Sequence, residues 1–113
     1  MLHHVSLEVP PGEADRLGEV LALIGFERVD APAALGDSVL WFARAGTQVH
    51  LIVTDGATAP VLGHAAFAVD DFDATIAGLR DGGFEFEESR ELWGERRGFA
   101  ALPGGQKVEL MAA

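Results

Sequence analysis

The 113-residue chain predicts an α+β fold: two tandem βαβββ modules forming a cupped, partly closed mixed sheet with helices on the outside. Three observations carry this. Period-2 apolar segments and amphipathic helical segments follow one another in the order β-α-β-β-β, and that order occurs twice. The second occurrence repeats residues of the first at a nearly constant offset. The length suits one compact core and falls short of two independent domains.

In the first module, Val5, Leu7 and Val9 alternate with Ser6 and Glu8, a half-buried strand that Pro10-Pro11-Gly12 ends. Leu17, Val20, Leu21 and Ile24 then recur at helical spacing, and Gly25 stands where a helix C-terminus needs φ > 0. Phe26 to Val29 read as a short strand and Asp30 to Asp37 as a loop. Val39 to Arg44 and Gln48 to Thr54 read as strands joined through Ala45-Gly46-Thr47.

Asp55 to Gly63 has turn-forming composition and no periodicity, so it reads as a connector between module 1 (residues 1–54) and module 2 (residues 64–113) of one domain. His64 to Val69 form the next strand. Asp70 or Asp71 caps a helix with an inner stripe of Phe72, Ile76 and Leu79, which Gly82-Gly83 ends. Phe84 to Glu88, Gly98 to Leu102 and Lys107 to Met111 complete the second set of strands.

The duplication is visible residue by residue. His4-Val5-Ser6-Leu7-Glu8-Val9 lies over His64-Ala65-Ala66-Phe67-Ala68-Val69, and Gly25-Phe26-Glu27 over Gly83-Phe84-Glu85. Phe42-Ala43 lies over Phe99-Ala100, and the run from Gly46 to Leu51 over the run from Gly105 to Leu110. The offsets stay close to 60 residues throughout, as fused copies of one supersecondary unit would leave them.

Composition narrows the function. A formal charge of -10, from 8 basic and 18 acidic side chains, repels phosphate, so nucleic acid and anionic membrane are poor partners. The absence of cysteine removes thiolate chemistry and cysteine-based zinc sites, leaving His and carboxylate as the available metal ligands. The opening segment lacks the pattern of a signal peptide, and no apolar run approaches the roughly 20 residues of a membrane span, so the expected location is the cytoplasm.

Four candidate ligands fall on repeat-equivalent positions. His4 and His64 open the first strand of each module, and His50 and Glu109 sit in the last. If the modules pack with approximate two-fold symmetry, the four can face one cup. Imidazole with carboxylate suits zinc, iron, manganese, nickel or cobalt. His50 and Glu109 are each flanked by apolar residues, so strand alternation places them on a polar face away from the core. His3 is the rival to His4; alternation separates the two, and the alignment with His64 favours His4.

In the loop from Ser89 to Arg97, Arg96 and Arg97 are candidates for holding an anionic substrate group, beside Trp93; the plainer reading is solvated charge next to Glu91 and Glu95. Trp41, Phe42 and Phe99 either wall a pocket or are ordinary core.

The strand-opening His4 and His64, the Gly-x-x-Val-(His or Glu)-Leu pattern at 46–51 and 105–110, and the doubled βαβββ order resemble the vicinal oxygen chelate superfamily over essentially the whole chain. That superfamily includes glyoxalases, fosfomycin-resistance thiol transferases, epimerases, extradiol dioxygenases and bleomycin-binding proteins. The resemblance implies a divalent metal on His4, His64 and Glu109, and a small-molecule substrate. It also implies a homodimer. His50 stands where isomerases of the family often carry Glu or Gln, which leaves it as a fourth ligand or as an acid/base with Glu109. Leu102-Pro103-Gly104-Gly105 departs from the family's usual turn before the last strand. The alternative implied activity is sequestration of a drug or metabolite without chemistry.

Overall fold

The computed structural model describes residues 1–113. The chain divides into two compact units, Met1–Ala59 and Pro60–Ala113, and the division falls within the predicted connector. Unit 1 runs β1 (His4–Val9), α1 (Ala14–Leu23), β2 (Glu27–Val29), β3 (Val39–Arg44) and β4 (Thr47–Val53). Unit 2 runs β5 (Ala65–Val69), α2 (Phe72–Asp81), β6 (Glu85–Ser89), β7 (Arg97–Ala101) and β8 (Lys107–Ala112). The predicted tandem βαβββ order is therefore the observed one. Within the loop from Asp30 to Asp37 the chain adds a single 3₁₀ turn, Ala33–Leu35.

Each unit builds a four-stranded mixed sheet, in the orders β1-β4-β3-β2 and β5-β8-β7-β6. The first and last strands of each module pair in parallel, and the remaining neighbours pair antiparallel. The duplication extends to register: Ser6 and Trp41 flank His50 in one sheet as Ala66 and Phe99 flank Glu109 in the other. Phe99 therefore corresponds to Trp41 and Ala100 to Phe42, one residue away from the alignment of Phe42-Ala43 with Phe99-Ala100 read from the sequence.

Several strand bounds shift by a residue for identifiable reasons. Phe26 and Phe84 do not open strands, because their N–H groups still donate to helix carbonyls, Leu21 at 3.0 Å and Leu79 at 2.9 Å. Gly25 and Gly83 make that closure possible with φ of +95° and +81°. Leu102 leaves β7 because its N–H donates across the following turn to the Gln106 carbonyl, 2.8 Å. His64 lies just before β5, since the parallel ladder begins at the pairing of Ala65 with Val108.

One face of each sheet is closed by its own helix. α1 buries Leu17, Val20 and Leu21 with no exposure, and a Cβ on its Gly18 would sit 3.0 Å from the Phe42 ring, which places the helix on the Phe42 side of the sheet. In unit 2, Phe72 at the start of α2 meets Phe86 of β6 edge to face at 5.9 Å. Leu51, Leu79 and Leu110 complete these cores, each fully buried leucine contributing about 2 kcal/mol of transfer free energy. Asp71 caps α2 by accepting from the Ala74 N–H at 3.0 Å. No helix is long and apolar enough to cross a membrane.

Candidate metal centre

The side chains of His50 and Glu109 point to the face opposite the helix in their respective sheets, because each alternates with core residues: Val49 and Leu51, Val108 and Leu110. The predicted polar face is nevertheless not open there. His50 is 7% exposed and Glu109 is 4% exposed, since β4 and β8 are interior strands whose neighbours cover them from both sides.

In unit 1 the cover is aromatic. The His50 ring stacks on Trp41 of β3 with centroids 3.9 Å apart and planes 5° from parallel, and on His4 of β1 at 4.4 Å and 21°. The Gln48 side-chain carbonyl accepts from His50 Nε2 at 2.7 Å, which leaves Nδ1 as the free nitrogen. Burial, with His4 and His3 nearby as like charges, lowers the His50 pKa below the usual imidazole value, so the neutral ring is favoured. A neutral imidazole is the form that ligates a metal or accepts a proton.

His3 lies beside His4 rather than opposite it. Their Nδ1 atoms share a hydrogen bond of 2.9 Å and the rings meet edge to face at 5.2 Å. Alternation does not separate them because β1 starts at His4, and strand geometry does not govern the residue before it.

In unit 2 the cover is polar. His64 Nδ1 donates to the Leu62 carbonyl at 2.7 Å, and its Nε2 lies 2.8 Å from Glu109 Oε2. Arg97 Nη1 donates to the other carboxylate oxygen, Oε1, at 3.1 Å. Arg97 is itself fixed: Nε donates to the Arg90 carbonyl at 2.9 Å, and the guanidinium carbon lies 5.8 Å from the Phe99 centroid and 5.9 Å from that of Trp93. Phe99 meets the His64 ring edge to face at 4.9 Å.

The candidates thus separate into two pairs, His4 with His50 and His64 with Glu109. Within neither unit do three His or carboxylate side chains gather into a cluster that holds a metal. The donor chemistry of the pairs fits a divalent ion. Nε2 of His64 and a carboxylate oxygen converge at hydrogen-bond distance, and a backbone carbonyl orients the imidazole through its second nitrogen, as outer partners of metal-bound histidines do. Of the pocket candidates, Trp41 covers His50, and Phe99 touches both His64 and Arg97. Phe42 belongs to the core under α1, and Trp93 is 54% exposed in the loop.

Arg96 and Arg97 part company. Arg96 binds Asp73 and Glu88, both at 2.8 Å, and holds the Glu88 carboxyl below its ordinary range. Only Arg97 reaches Glu109. Gln48, Leu62 and the Arg97–Glu109 contact are the site features that sequence reading missed. Gln48 had a signal, two residues from His50 on the same strand face; the Leu62 carbonyl had none.

The doubled βαβββ order, with two four-stranded mixed sheets each flanked by its own helix, is a glyoxalase-type fold. Residues 3–110 match the Glyoxalase/Bleomycin resistance protein/Dioxygenase superfamily, and the chain belongs to that family, within the vicinal oxygen chelate superfamily. Among solved structures, a glyoxalase family protein from Bacillus anthracis superposes with a TM-score of 0.84 at 23% identity, over 99% of this chain and 93% of that one. A genomically encoded fosfomycin resistance protein from Listeria monocytogenes gives 0.77 at 19% identity, over 100% of this chain and 93% of that one. Lactoylglutathione lyase from Agrobacterium tumefaciens gives 0.69 at 16% identity, again over 100% and 93%. These likenesses establish the fold. No curated protein matches the chain in sequence.

Proposed function

We propose that the protein is a metal-dependent enzyme acting on a small molecule, with His4, His50, His64 and Glu109 as its candidate ligands for divalent zinc, iron, manganese, nickel or cobalt. The observation that carries this reading is the convergence of His64 Nε2 and Glu109 Oε2 at 2.8 Å, with Leu62 holding the other imidazole nitrogen. A bound ion would supply Lewis-acid stabilisation of negative charge developing on a substrate oxygen. The reaction types within reach are lyase or isomerase chemistry, epimerisation, thiol transfer and dioxygenation.

The chain's own residues have separate tasks. Glu109 is the carboxylate that accepts a substrate proton, and His50 Nδ1, kept neutral by burial, is either the fourth ligand or the second proton acceptor. Trp41 excludes water from the face of His50 that it covers. Arg97 and Trp93 are the candidate substrate-facing residues of unit 2, with the guanidinium meeting an anionic substrate group from its fixed place beside Glu109. The working form is a homodimer in the cytoplasm.

Reconstitution with each metal after chelation tests the reading. Stoichiometric metal is expected by elemental analysis, and Glu109→Gln should abolish uptake. His50→Ala separates its two roles: lost metal marks a ligand, whereas retained metal with lost turnover marks a proton acceptor. Metal well below stoichiometry for every ion would sink the proposal.

A second reading, a non-catalytic binder of a drug or metabolite, draws on a specific observation. Both oxygens of Glu109 are already satisfied by His64 and Arg97, so the carboxylate is stable without an ion. On that reading Glu109→Gln leaves ligand affinity nearly intact.

A further inference from the structure

We propose that Arg97 is an internal rival of the metal: its guanidinium occupies Glu109 Oε1 and sets the affinity of the site for a divalent cation. The inference rests on the metal reading above and concerns a residue outside the ligand set. A fixed positive charge 3.1 Å from a ligand oxygen opposes a second, divalent charge on the same carboxylate. Both partners are poorly hydrated, with side-chain exposures of 11% for Arg97 and 5% for Glu109, so solvent screens the opposition weakly.

The guanidinium has little freedom to withdraw. The Arg90 carbonyl holds Nε, and Phe99 and Trp93 flank the group, so the charge stays beside Glu109 with or without an ion. Nothing in the fold requires a cation here. By register, Arg97 faces Met111 in unit 2 as Val39 faces Ile52 in unit 1, so the repeat-equivalent position is filled by valine. The positive charge is specific to the module that carries the carboxylate. A site so arranged binds its ion more loosely and exchanges it more readily than the same ligands without Arg97.

The test is the affinity of chelator-treated full-length protein for Mn, Co, Ni and Zn ions, read by titration calorimetry and, for Co, by its visible absorption. Arg97→Gln should tighten binding at least tenfold, equivalent to about 1.4 kcal/mol. Arg97→Lys, which keeps the charge, should stay within about threefold of the parent, roughly 0.6 kcal/mol by the same conversion. Arg97→Met, which keeps the aliphatic stem against Phe99, serves if the glutamine variant fails to fold by circular dichroism. Binding by the parent with no tightening in the uncharged variants overturns this proposal and leaves the metal reading standing. Absence of binding in parent and variants alike overturns both. Binding that appears only when the charge is removed supports the competition in its strongest form.

Discussion

At the scale of single residues the site is decided by what touches each ring and carboxylate. His50 is the clearest case, stacked between rings from the strands on either side and hydrogen-bonded to Gln48. Burial, then the like charges of His4 and His3, lower its pKa in the folded state. The unfolded chain therefore binds this proton more readily, and stability is level above about pH 6.5 and falls as pH drops from there toward the depressed value. In metal-free protein, His50→Gln should flatten that fall, measured as denaturation midpoints between about pH 7.5 and about pH 5. An unchanged slope would show that other groups carry it. The same scale explains why Arg96 and Arg97, adjacent in sequence, have different roles: one pairs with exposed acids, the other with the buried Glu109.

At the scale of elements the two modules solve one packing problem with exchanged volumes. In unit 1, Gly18 of α1 leaves space that the Phe42 ring fills, with Leu40 also on β3. In unit 2 the equivalent positions are Ile76 on α2, and Ala100 and Gly98 on β7, with Phe86 of β6 supplying the missing bulk. Interiors at close packing tolerate such trades only when volume is conserved. Gly98 has no room left: an added Cβ would lie 2.5 Å from the Glu87 carbonyl oxygen and 2.6 Å from Phe86. Gly98→Ala should destabilise by about 1–3 kcal/mol in urea denaturation, and a double variant that also carries Phe86→Leu should recover part of it. No recovery would locate the strain in the Glu87 backbone.

At the scale of the whole molecule, the proposed metal site would link ion binding to folding, because its candidate ligands come from strand pairs that exist only in the folded chain. An ion at about one hundred times its dissociation constant adds about 2.7 kcal/mol of stability, or roughly 10 °C in Tm. Calorimetric scans with and without chelator should show that shift in the parent and lose it in Glu109→Gln. Equal transitions in the parent would mean that no ion is bound to the native state.

The sequence by itself determined the order of elements, the duplication and the four candidates as repeat-equivalent positions, because side-chain period, turn residues and repeat offset are local quantities. Which of them pair in space, His4 with His50 and His64 with Glu109, it did not determine. His4, His50, His64 and Glu109 were legible for that reason, as were the inner stripes of both helices. The tertiary structure alone decided what each candidate touches. Strand alternation gives the face of a side chain and not its cover, so the burial of His50 and Glu109 was not readable. Nor was the Leu62 carbonyl on His64, the place of His3 beside His4, or Arg97 on Glu109. Those contacts depend on where a strand begins and on which neighbours flank an interior strand. Pairing between distant segments fixes both.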